Sequence, residues 1–120
     1  MVLLIDTNIV LDVFLNRSEF VKDSSMVWKL CETEQAKGYL STLTYANMMY
    51  VMRKQLTPDQ IEEVFRKLNL IFKFADFSPA VLERAVNMKW KDFGDAVQSA
   101  TAESVHADYI ITRKVSEIGR

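Results

Sequence analysis

Oxygen donors dominate the reactive side chains of this 120-residue chain: the acids Asp6, Asp92, Asp95 and Glu117, and the amide of Asn47. The one histidine, His106, falls at the far end of a helical segment and reads as a helix C-terminal cation or a surface residue. The one cysteine, Cys31, sits inside a helical-looking segment and reads as a buried small hydrophobe. A cluster of carboxylates repels itself unless it is protonated, paired or neutralised by a cation. Oxygen ligands favour Mg²⁺ or Mn²⁺, usually through one or two direct carboxylates, with water and phosphate in the remaining positions. The reaction that uses such a cluster is metal-assisted phosphodiester hydrolysis, in which the ion orients water, lowers its pKa and stabilises the leaving oxygen. No covalent nucleophile is required.

Those groups are far apart in sequence, so elements must gather them. Val2 to Ile5 is a short apolar run rich in β-branched residues, the pattern of a strand covered on both faces. Asp6 ends it, and Thr7 and Asn8 are N-cap residue types that start a helix to about Leu15. In open α/β sheets ligands bind outside the carboxyl ends of the strands, which makes Asp6 a site candidate. The competing reading is that Asp6 only caps the helix.

Further along, helices are expected over about Ser18–Ala36, Tyr45–Gln55, Pro58–Asn69, Pro79–Met88 and Asp95–Val105. Thr57-Pro58 and Ser78-Pro79 mark two of the starts, and Lys37-Gly38 a stop. Strands are expected at Tyr39–Leu43, Leu70–Phe74 and Tyr109–Ile111. Ala96, Val97, Ala100, Thr101 and Ser104 make a small-residue face suited to close packing on a sheet. Strands alternating with helices imply right-handed crossovers and an α/β fold with a mainly parallel sheet of four or more strands flanked by helices. Asp6, Asn47, Asp92, Asp95 and Glu117 then fall at or just beyond ends that one sheet edge gathers.

Composition bounds the rest. The chain is one domain of ordinary size, with 49% hydrophobic and 26% charged residues, which excludes a disordered chain. A net charge of −1 offers no overall attraction to nucleic acid, so a polyanion must use a local basic patch. No apolar run approaches a membrane span, no signal peptide precedes Val2, and a lone cysteine suits a reducing compartment, so the expected location is the cytoplasm.

Three segments carry a family resemblance: LLIDTNIVLDVFLNR (Leu3 to Arg17), STLTYANMMYVMRK (Ser41 to Lys54) and KDFGDAVQSATAESVHADYIITRK (Lys91 to Lys114). Together they cover nearly half the chain and resemble the PIN-domain ribonucleases, especially the VapC-like toxins of bacterial toxin–antitoxin pairs. The resemblance implies a single PIN-like domain over residues 1–120 with an acidic pocket that binds Mg²⁺ or Mn²⁺ and cleaves RNA. It makes Asp6 and Asp95 the metal ligands and Asp92 a supporting acid. Thr112 becomes a hydroxyl near metal and phosphate, and Asn8 the residue that orients Asp6. It also implies an antitoxin partner.

The chain departs from the family pattern in three places. Asn47 stands where much of the family has glutamate, which keeps a coordinating oxygen but removes a negative charge. Lys114 follows Thr112-Arg113 where relatives carry asparagine or aspartate, and Glu117 offers a longer substitute for the missing acid. The chain stops at Arg120, where relatives usually continue into a final strand, and an uncovered sheet edge favours a homodimer. These departures leave a second reading, a catalytically weakened RNA-binding or protein-interaction module. Arg17, Arg53, Lys54, Lys89, Lys91, Arg113 and Lys114 either line an RNA groove or are solvated charge. Met48, Met49 and Met52 with Tyr45 and Tyr50 form either a partner face or, for most of the stripe, core.

Overall fold

The computed structural model describes residues 1–16 and 18–112, apart from the side chain of Thr7. Arg17, Arg113, Lys114 and Glu117 therefore lie outside the described residues. Along the chain the elements are β1 (Val2–Ile5), α1 (Thr7–Phe14), α2 (Val21–Glu32), β2 (Lys37–Ser41), α3 (Thr42–Met52), α4 (Pro58–Ile71), β3 (Lys73–Ala75), α5 (Pro79–Met88), α6 (Phe93–Ser104) and β4 (Tyr109–Ile111). The sheet order is β3-β2-β1-β4 and every pairing is parallel, with Leu3 opposite both Gly38 and Tyr109. The chain winds outward from β1 through β2 to β3, then returns to place β4 on the other side of β1. That reversal puts a topological switch point between β1 and β4, where open α/β sheets form a crevice beyond the strand ends.

Alternation along β1 divides the core. Leu3 and Ile5 face the larger cluster, which also holds Ile9, Val10, Leu11, Leu40, Met48, Met52 and Leu68. Leu4, also buried, points to the opposite face, where α6 lies against β1 and β4. The small residues of α6 serve the close approach expected of them. Ala96, Val97, Ala100 and Thr101 are buried, and Val81 and Ala85 of α5 pack with them, while Ser104 is exposed. Of the methionine stripe, Met48 and Met52 are fully buried. Tyr45 packs edge-on against Phe65 and Phe74, with ring centroids 5.4 and 5.3 Å away. Tyr50 is exposed under the Arg53 guanidinium, 4.4 Å from its ring centre.

Several boundaries differ from the expectation, three of them for a local reason. β2 ends at Ser41 rather than Leu43 because the Ser41 hydroxyl accepts from the Leu43 and Thr44 amides and starts α3 at once. α4 runs past Asn69 to Ile71, since Ile61, Val64, Leu68 and Ile71 continue one apolar stripe, and β3 therefore starts at Lys73. Helix α6 begins at Phe93, two residues before Asp95, because Asp92 caps it. The second helix is shorter than expected at both ends, Val21 to Glu32.

Candidate active site

Asp6 follows the last residue of β1, and its amide donates to the Ile111 carbonyl at 2.9 Å, which ties it to the end of β4. It occupies the N-cap position of α1 with extended backbone angles, yet its side chain makes no capping bond. Instead Oδ1 accepts from Gln98 Nε2 at 2.9 Å, and Oδ2 accepts from Thr112 Oγ1 at a long 3.4 Å. The carboxylate has turned away from its own helix and across the switch point, towards α6 and the residue after β4.

Asp95 lies in the first turn of α6 and is only 7% exposed. Gln98 follows it by three residues, so the two share a face of the helix. Asp92 caps α6, its Oδ1 accepting from the Asp95 amide at 3.1 Å, and is itself exposed. Asn47 comes from α3, one turn beyond Leu43 and Thr44. Asp6, Asn47, Asp92, Asp95, Gln98 and Thr112 all line one cavity of about 600 Å³. Ser41, Thr44 and Thr101 add hydroxyl-bearing residues to its wall, and Leu43, Phe77, Leu82, Phe93 and Val97 add apolar ones. Asn8, on the first turn of α1, is exposed and not part of this wall. Glu117, Arg113 and Lys114 lie outside the described residues.

Three helix N-termini converge here, since Asp6, Ser41 and Asp92 hold the N-cap positions of α1, α3 and α6 and all three line the cavity. Their partial positive charges offset some carboxylate repulsion and suit an incoming anion such as phosphate. Sequence reading overlooked Gln98, the principal donor to Asp6. Its position one turn after Asp95 was the available signal, but a glutamine in an alanine-rich helix has no distinctive type.

A hard divalent cation can be tested against the donor set. Among the described residues, no group of three or more His, Cys, Asp or Glu side chains gathers to hold an ion. What lines the cavity is carboxylate, carboxamide and hydroxyl oxygen, without sulfur or imidazole. The Gln98 carbonyl oxygen is buried with no hydrogen-bond partner among the described residues. All-oxygen donors with few charges suit Mg²⁺ or Mn²⁺, which keep several waters, and do not suit Zn²⁺.

The family model of the PIN domain matches residues 2–116. The chain belongs to the PIN-domain family. PIN domains are nucleases as a family, generally hydrolases. Among curated proteins none matches this PIN domain. Its fold is similar to that of VapBC2 from Rickettsia felis bound to a DNA fragment from their promoter, with a TM-score of 0.70 and 14% identity, over 98% of this chain and 90% of that one. It is also similar to a toxin–antitoxin complex from Klebsiella pneumoniae, with a TM-score of 0.66 and 24% identity, over 94% of this chain and 87% of that one. At these identities the likeness is one of fold.

Proposed function

We propose that this PIN domain is a divalent-cation-dependent endoribonuclease acting in the cytoplasm as the toxin of a type II toxin–antitoxin pair. The observation that carries the reading is Asp6. An aspartate at an N-cap position ordinarily serves its own helix, and this one faces Gln98 and Thr112 in a cavity that Asp95 also lines. Asp6 and Asp95 would hold Mg²⁺ or Mn²⁺, with the Asn47 amide adding an oxygen without charge. Bound there, the ion would activate water and stabilise charge on the leaving oxygen. The N-termini of α1, α3 and α6 would orient the phosphate, and Thr112 would hold the Asp6 carboxylate on the far side from Gln98. Asp92 supports the site through α6, whose first turn it caps and on which Asp95 sits. Glu117 and the cations Arg113 and Lys114 are proposed to complete the pocket from beyond β4.

The antitoxin partner is supported by the fold likeness to chains from toxin–antitoxin complexes. A homodimer is proposed with it, because β3 and β4 are the outer strands of the sheet among the described residues. One observation favours the second reading, a weakened RNA-binding or protein-interaction module. Asn47 brings a neutral amide to the cavity wall, which leaves fewer charges to retain an ion.

The test is cleavage of RNA with Mg²⁺ or Mn²⁺ by the natural chain, Asp6→Asn and Asp95→Asn. Loss of cleavage in both variants by at least about a hundredfold, or about 2.7 kcal/mol in the barrier, supports the nuclease. Equal traces in all three favour the module. A DNA and phosphate-ester panel run alongside separates an RNase from other phosphodiester chemistry.

A further inference from the structure

Gln98 is tethered at one end of its amide and not at the other. Its Nε2 donates to Asp6 Oδ1 at 2.9 Å, while its Oε1 is buried and, among the described residues, accepts nothing. The orientation follows from chemistry, since an ionised carboxylate can only accept, so the NH₂ end must face Asp6 and the carbonyl end is presented elsewhere. Both ends share one amide carbon, so Oε1 lies within a few ångströms of the Asp6 carboxylate. Gln98 also stands one helical turn after Asp95, on the same face and in the same cavity wall. A buried acceptor left without a donor is costly, and native folds keep few of them. A cation shared with Asp6 and Asp95 would satisfy this one.

We propose that Gln98 is both the positioning residue for Asp6 and a neutral oxygen ligand of the divalent-cation site. The inference rests on the cation reading proposed above. It assigns Gln98 two coupled tasks: Nε2 fixes the carboxylate, and Oε1 supplies the oxygen that a carboxylate pair alone lacks. The site so formed has two carboxylates, Asp6 and Asp95, with two carboxamides, Asn47 and Gln98. Carboxamides coordinate without adding charge, so the ion is held more weakly than by an all-acid set and stays replaceable.

The experiment uses the full chain and Mn²⁺ alone, with free Mn²⁺ read by electron paramagnetic resonance and folding read by circular dichroism. Gln98→Leu keeps the approximate shape and removes both polar atoms; it is expected to fold and to bind Mn²⁺ at least tenfold more weakly, the usual effect of removing a ligand's support. Gln98→Glu is expected to be less stable than the natural chain without Mn²⁺, because two carboxylates then face each other, and to gain more in melting temperature when Mn²⁺ is added. A purely structural glutamine would lower the melting temperature of Gln98→Leu and leave its Mn²⁺ affinity unchanged, and that result overturns the proposal. Should Gln98→Leu fail to fold, Gln98→Glu decides: a Mn²⁺-induced gain no larger than the natural chain's overturns it. If the natural chain binds no more Mn²⁺ than Asp6→Asn, the cation reading itself fails. Strong binding by the natural chain with unchanged affinity in Gln98→Leu sinks only the role of Gln98.

Discussion

Asp6 shows how little a residue's type and place in the chain say about its use. As the residue after a strand and before a helix it has the sequence features of a cap, and its backbone adopts the cap conformation. Only the partners of its carboxylate, Gln98 and Thr112, distinguish a site from a cap, and they are separated from it by 92 and 106 residues. Cys31 is a contrasting case, where type alone sufficed. It is 3% exposed, and burial pushes its thiol above the ordinary value of 9.0. A thiol held neutral in this way reacts slowly, because the thiolate is the nucleophile. Native protein treated with iodoacetamide at neutral pH should therefore stay unlabelled by mass spectrometry and label fully once unfolded; labelling of the native chain at the unfolded rate would refute this burial. The sign of the pH effect follows as well. A folded value above the unfolded one gives stability that is intact below about 9.0 and declines as pH rises beyond it.

Elements meet at contacts that leave little latitude. A Cβ built on Gly38 of β2 would lie 2.6 Å from Cys31 Sγ and 2.9 Å from the Phe72 ring, so the strand, α2 and the end of α4 approach as closely as glycine permits. Both neighbours are buried and cannot swing aside. Gly38→Ala is expected to cost about 1–3 kcal/mol in urea unfolding, the usual penalty of overpacking, and an unchanged midpoint would contradict the packing. Helices α1 and α2 share a different kind of contact. Ser24 Oγ donates to Asp12 Oδ2 at 2.7 Å, with both residues almost wholly buried. Ser24→Ala takes a donor from a buried carboxyl group and should destabilise the chain by about 1–3 kcal/mol, again read by urea midpoint. Asp12 interrupts an otherwise apolar run, Ile9 to Phe14, which was the visible sign of a buried polar contact. Its partner was not visible, because α2 carries two adjacent serines, Ser24 and Ser25, and only the crossing of the two helices selects Ser24.

For the molecule as a whole, parallel winding with a reversal between β1 and β4 brings residues from both ends of the chain to one cavity. Three helix N-termini and three carboxylates, Asp6, Asp92 and Asp95, then line it, and the cation proposed for this site would bind the folded form and not the unfolded one. Linkage converts that preference into stability: at a hundred times its dissociation constant an ion contributes about 2.7 kcal/mol, or roughly 10 °C for a domain of this size. Mn²⁺ is expected to raise the melting temperature of the natural chain by that order, chelator to reverse it, and Asp6→Asn to show little of it. Equal rises in both proteins would place the ion elsewhere. Among the described residues, no helix is long and apolar enough to cross a membrane.

The sequence by itself determined which elements form and in what order. Short apolar runs and helical patterns, Thr57-Pro58, Ser78-Pro79 and the small face of α6 are local signals, and a mainly parallel sheet follows from their alternation. It also supplied the residues that line the cavity by type: Asp6, Asn47, Asp92, Asp95 and Thr112. What only the tertiary structure decided is how they are partnered. Ser41 ends β2 two residues early because its hydroxyl finds amides in the next turn, and Asp92 spends one oxygen on a helix cap. Gln98, ordinary in type, becomes the anchor of Asp6. The physical reason is range: helix and strand formation are set by neighbours a few residues away, whereas the direction of a carboxylate at a sheet edge is set by donors that only the completed winding brings within 3 Å or so.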